Sequence, residues 1–202
     1  MASMIPLGMP RSKLSYVRLL HSLIGLWREE PALRRATLTQ ALLFASFSAF
    51  WTVLAFYLAD PAYGLGAEVA GLFGVIGVAG VVAAPLAGRM ADRLGARPVV
   101  LVGALLAVLA WILFETWLSL IGLAVGVILL DLGVQSALVA HQQLIYGLRA
   151  EARGRINTLF MTGMFLGGTL GSSLGMLVWQ QGHWLGVGAA GMGLALVAFL
   201  CA

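Results

Sequence analysis

Apolar residues in this chain come in runs of roughly 20, the length that crosses about 30 Å of hydrocarbon as a helix. Six such runs are legible, at residues 37–58, 67–87, 98–115, 117–144, 156–179 and 184–202. The connections between them are short, so consecutive helices are expected to be antiparallel neighbours. Backbone polar groups facing lipid must be satisfied within their own segment, and helices do this over runs of such length. The pattern predicts an all-α integral membrane protein, with six transmembrane helices bundled over residues 37–202.

Ahead of the first run the periodicity changes. In "SYVRLLHSLIGLWREEP" the residues Tyr16, Leu19, Leu20, Leu23, Ile24 and Trp27 form one helical stripe, with Arg18, His21 and Arg28 off it. The segment is too short and too charged to span a bilayer. It predicts an amphipathic helix within residues 13–36, ended near Pro31 and lying on the membrane surface or on the bundle itself. Residues 1–12 carry no readable signal, and the first 36 residues lack the uninterrupted apolar core of a secretory leader.

Composition agrees with the membrane reading: 61% of the 202 residues are hydrophobic and 10% charged, against about 25% charged in soluble domains. The net charge of +4 does not point to nucleic acid, because the basic residues share no solvated face. Their distribution instead gives an orientation. Arg11, Lys13, Arg18, Arg28, Arg34 and Arg35 precede the first run, Arg89, Arg93 and Arg97 separate the second and third, and Arg149, Arg153 and Arg155 separate the fourth and fifth. All twelve fall on one side of a six-span arrangement, so both termini are expected in the cytoplasm. The single cysteine, Cys201, excludes a disulfide framework.

One charged stretch is unusual for its density. "GRMADRLGARP", residues 88–98, carries three arginines, an aspartate and two glycines in eleven residues. A short cytoplasmic loop would hold these charges at the helix ends. Asp92 is expected to pair with Arg93 or Arg97 or to face a helix N-terminus, and Gly88 and Gly95 to allow a tight turn and close helix approach. Pro98 suits the first turn of the next helix.

The stretch resembles the loop signature of the major facilitator superfamily, G-x-x-x-D-R-x-G-R/K-R/K, with Gly88, Asp92, Arg93, Gly95 and Arg97 matching and Ala96 departing from it. "LLFASFSAFWTVLAFYLA", "DLGVQSALVAHQQLIYGL" and "RINTLFMTGMFLGGTLGSSLG" look like the C-terminal half of its sugar- and drug-efflux branch. The resemblance implies one half of a fold made of two six-helix bundles, each built from two inverted three-helix repeats. It makes residues 13–36 the central linker and the charged loop a cytoplasmic gate. It further implies alternating access of a small solute, sugar or drug-like, through efflux or antiport in a bacterial inner membrane.

Two runs have distinct faces. In the fourth, Asp131, Gln135 and Gln142 share a narrow arc, opposite Gly122, Gly126 and Gly133. In the fifth, Thr158, Thr162, Thr169, Ser172 and Ser173 share an arc, while Gly163, Gly167, Gly171 and Gly175 form a ridge suited to close helix packing. The hydroxyls are candidates for a solute or proton pathway, or for bonding back to their own helix. Asp131 costs about 2.5–3.5 kcal/mol near the bilayer centre and must be paired, hydrated or protonated. The preferred of its two roles is structural, bonded to backbone, Gln135 or Asn157; the other is a proton or cation site. His141 is expected to be an interfacial hydrogen-bonder.

No grouping of nucleophile, base and acid, no metal-ligand cluster and no phosphate loop stands out, so neither an enzyme nor a cofactor or metal is expected. The expected partners are the bilayer, a small solute, and either an N-terminal six-helix half or a second copy. The alternatives are a stand-alone six-span protein that forms a homodimeric carrier, and a non-transporting membrane fragment or assembly partner. The glycine ridge and the polar faces are expected to lack part of their partners in this chain alone.

Overall fold

The computed structural model describes residues 16–61 and 63–202, and residues 1–12 lie outside it. The described residues form helices without strands: α1 Tyr16–Glu29, α2 Pro31–Ala59, α3 Ala67–Leu94, α4 Ala96–Thr116, α5 Leu120–Tyr146 and α6 Arg153–Cys201, with a short 3-10 turn at Ala150–Ala152. By length and composition four of the helical stretches could cross a membrane: Pro31–Ala59, Ala96–Thr116, Leu120–Tyr146 and Ala150–Cys201. The last covers both of the final apolar runs. It is interrupted at His183, whose φ of 47° and ψ of −141° leave the helical region.

Local chemistry accounts for the boundaries. Pro31 occupies the first turn of α2, where its missing N–H costs nothing, so this helix begins ahead of the expected Thr37. Ser119 caps α5, its hydroxyl accepting from the Gly122 amide at 3.1 Å. The expected loop at residues 88–98 is corrected to something smaller. Arg, Met, Ala and Leu are good helix formers, and α3 continues through them to Leu94. Gly95 alone, at φ 84°, reverses the chain before α4 starts at Ala96. Gly88 is therefore inside a helix and makes no turn.

The glycine ridge of α6 packs within the chain. Gly163, Gly167, Gly171 and Gly175 face Thr37, Ala41, Ala45 and Ala49 of α2, each step advancing four residues along both helices. The two helices thus run parallel, backbone against backbone. A β-carbon at Gly175 would lie 2.9 Å from the Ala49 Cα, and one at Gly171 would fall on the Ala45 carbonyl. This corrects the expectation that the ridge waits for a missing partner: a complementary row of small residues on α2 fills it.

Other helices join by the same device. Gly103 of α4 and Gly133 of α5 meet carbonyl to glycine in an antiparallel pair. The part of α6 after His183 returns antiparallel to α4. Gly191 lies under the Trp111 ring, the Trp184 indole donates to the Phe114 carbonyl at 3.3 Å, and Arg97 donates to the Ala202 carbonyl at 3.2 Å. Ser46 links three of these segments, accepting from Trp111 Nε1 at 2.7 Å and donating to the Gly191 carbonyl at 2.8 Å. Around it, Phe50 stacks on Phe114 and Tyr57 on Trp184.

The short helix α1 packs on the bundle through Leu26, which joins a buried cluster with Leu33, Ile145, Ala152, Ile156 and Phe160. Leu26 is off the stripe expected from periodicity, whereas Ile24 and Trp27, on the stripe, are exposed. The α5–α6 connection clamps the C-terminal end of α1: Arg149 reaches Glu30 at 2.6 Å and Glu29 at 3.0 Å. Hydrogen bonds to Glu30 and then Glu29 hold this guanidinium further above its ordinary pKa.

Because the α2–α6 seam is backbone against backbone, a branched side chain there forces the helices apart. Gly171→Leu should lower stability by about 1–3 kcal/mol, the usual cost of overpacking, while Gly193→Ala, which meets nothing within 4 Å, should leave it unchanged. Thermal unfolding of the two variants in detergent is the check.

Candidate functional site

The polar positions of α5 do not form one cluster. Asp131 is buried, and its Oδ2 has no hydrogen-bond partner among the described residues. Gly77 of α3 stands opposite; a β-carbon there would lie 3.2 Å from Asp131 Oδ1. The missing side chain at Gly77 is what leaves room for the carboxylate between α3 and α5. Gln135 and Gln142 are half-buried farther along the helix.

The structural partners expected for Asp131 are engaged elsewhere or absent. Asn157 accepts from the Tyr146 hydroxyl at 2.8 Å, and no hydrogen bond joins Gln135 to the carboxylate. Among the described residues no hydrogen bond fixes the Asp131 Oδ2.

The α6 hydroxyls mostly bond to their own helix. Thr158 donates to the Gly154 carbonyl at 3.0 Å, Thr169 to Phe165 at 3.0 Å and Ser173 to Thr169 at 2.9 Å. Thr158, Thr162, Thr169 and Ser173 are all exposed on the surface of the bundle. No hydrogen bond connects them to Asp131, Gln135 or Gln142, so the structure does not join the two polar arcs into one site.

At the end of the bundle where α3 turns into α4, Asp92 pairs with neither arginine. Gln143 of α5 donates to Asp92 Oδ1 at 2.9 Å and to the Gly88 carbonyl at 3.2 Å. One amide thus ties the last turns of α3 to α5. Arg93 is exposed, and Arg97 is held by the Ala202 carbonyl. The aspartate gains a neutral donor from a neighbouring helix because α3 stays helical past it, which points its side chain sideways across the bundle.

A second polar contact was missed in the sequence. Gln40 of α2 is fully buried; its Oε1 lies 2.9 Å from His141 Nδ1, and its Nε2 donates to the Val134 carbonyl at 3.4 Å. His141 is buried beside it and 6.0 Å from the Phe160 ring. The available signal was a lone amide in an apolar run, "TLTQALLF", at the arginine-bearing end of its run, as is a lone histidine three helices later.

The comparisons with known proteins place this geometry. The family model described as Major Facilitator Superfamily matches residues 36–202. "Uncharacterized transporter YgaY" of Escherichia coli O157:H7 is 37% identical over 200 residues, covering 96% of this chain and 50% of the relative, and its counterpart in strain K12 matches equally. "Probable transporter SCO4007" of Streptomyces coelicolor is 38% identical over 177 residues, covering 85% of this chain and 40% of the relative. The chain spans about half the length of the curated relatives it matches. With a family match over most of the chain and helices apolar enough for a bilayer, this multi-pass membrane protein belongs to the major facilitator superfamily.

Proposed function

We propose that this chain is the C-terminal six-helix half of a secondary transporter that moves a small solute by alternating access, with both termini in the cytoplasm. The observation that carries the reading is Asp131, a buried carboxylate whose Oδ2 has no hydrogen-bond partner among the described residues. Such a group is costly in the membrane and is kept for ions, protons or solutes. The half-length match to transporter relatives supports the division into halves. So does the exposed arc of hydroxyls on α6, a face that suits the wall of a water-filled cavity.

In this reading Asp131 takes up and releases a proton or cation, and Gln135, Gln142, Thr158 and Thr162 line the solute path. The Asp92–Gln143 bond is the gate. It joins α3 to α5 in the state seen here; the Gly88 carbonyl shares the Gln143 amide, and Arg93, Gly95 and Arg97 sit at the turn beside it. Efflux by proton antiport across a bacterial inner membrane is the form of transport we favour. The chemistry is binding and movement, not catalysis, and the partner is an N-terminal six-helix bundle.

Three outcomes follow. Asp131→Asn in the assembled transporter should abolish solute flux driven by a pH gradient while shifting the unfolding temperature little; unchanged pH-driven flux contradicts the coupling role. Asp92→Ala should slow transport with solute affinity retained, measured as flux against equilibrium binding. In a Cys201→Ser background, cysteine at Gly182 should react with an impermeant thiol reagent from outside and cysteine at Gly154 should not; the reverse pattern contradicts the topology.

A further inference from the structure

A cavity of about 560 Å³ opens at the end of the bundle where α2 and α4 begin and α5 and α6 end, away from Asp131. Its volume is in the range of about 300–1,000 Å³ typical of ligand sites. Pro31, Ala36, Val100 and Leu144 give it an apolar wall. Arg35 and Arg97 stand at its exposed edge, and no acidic side chain lines it. Arg35 has neither an ion pair nor a hydrogen bond among the described residues. Arg97 spends its Nε on the Ala202 carbonyl, which leaves the other guanidinium N–H groups available.

The deeper lining is polar and incompletely paired. Thr39 is fully buried, and its Oγ1 has no hydrogen-bond partner among the described residues. His141, also buried, gives Nδ1 to Gln40 and no other ring atom to a protein partner among the described residues. An apolar wall, an orphaned hydroxyl and two arginines with no acidic side chain between them form an amphiphilic anion site. Arginine's planar fork suits phosphate oxygens in particular.

We propose that this cavity binds the phosphate-bearing headgroup of an anionic phospholipid. The arginines would take the phosphate, and the apolar wall the glycerol and first acyl carbons. A lipid fits better than a soluble phosphate because the wall is largely apolar and the cavity lies at the arginine-rich rim of the bundle. The inner leaflet as source rests on the topology proposed above.

The test is lipid retention by the purified full chain in neutral detergent, read by native mass spectrometry, with phosphatidylglycerol and phosphatidylcholine as probes. Phosphatidylglycerol should be preferred by about tenfold or more, the scale of a lost charged hydrogen bond. Arg35→Gln with Arg97→Gln should erase the preference. Ala96→Trp, which keeps both charges and fills the cavity, should also erase it. Arg28→Gln with Arg89→Gln, the same charge change outside the cavity, should preserve it. Equal loss in both arginine pairs, or normal retention in Ala96→Trp, overturns the site. Displacement by millimolar inorganic phosphate assigns the cavity to a soluble anion and overturns the lipid. Detergent has no sides, so an inverted topology would fail in thiol labelling and leave this measurement unaffected.

Discussion

Backbone contact between α2 and α6, with four glycines on one side and Thr37, Ala41, Ala45 and Ala49 on the other, sets the spacing from which the remaining helices take their places. In lipid there is no hydrophobic gain from pairing two apolar helices, so association depends on close packing and on interhelical hydrogen bonds. Small residues every four positions supply the packing along much of α2. The Ser46 hydroxyl supplies the hydrogen bonds, in the middle of the same seam, by linking α2 to Trp111 of α4 and to the returning part of α6. Large rings then fill the space beside it: Phe50, Trp111, Phe114 and Trp184 are in mutual contact.

That division of labour explains where the bundle tolerates polarity. Gln40 and His141 bond to each other between α2 and α5, and Gln143 donates to Asp92 between α5 and α3. Asp131 is treated differently. It lies on the same helix as His141 and Gln143, yet the space opposite is a glycine, Gly77. A chain built only for stability would gain by placing an amide donor there, as it does at Gln143. In the proposed transport cycle it is this unpartnered Oδ2 that a proton or cation would take.

Much of the helical order was legible in the sequence because apolar runs and glycine spacing report directly on one helix at a time. The ridge at Gly163, Gly167, Gly171 and Gly175 could be read from α6 alone. Its partner could not, since Thr37, Ala41, Ala45 and Ala49 become a groove only when the register between two distant helices is known. The same limit hid Gln40, whose meaning depends on His141 a hundred residues later. Charge density in residues 88–98 suggests a solvated loop. Helix propensity in "RMADRL" outweighed it, and Gly95 supplied the whole turn. For Asp92 the consequence was a changed partner, from a nearby arginine to an amide on another helix. The stripe on α1 was read from periodicity, but its buried contact, Leu26, follows from where the Arg149 clamp holds the helix.

In the proposed function this bundle is one wall of a two-walled transporter, and Asp131 is exposed to traffic only when the other wall is present. Solute flux in sealed vesicles under a pH gradient tests that directly. The chain is reconstituted alone and, in parallel, with a co-expressed N-terminal six-helix half from a full-length relative. Flux that appears only when the two halves are together is the predicted result. Robust pH-driven flux from this chain alone would contradict it.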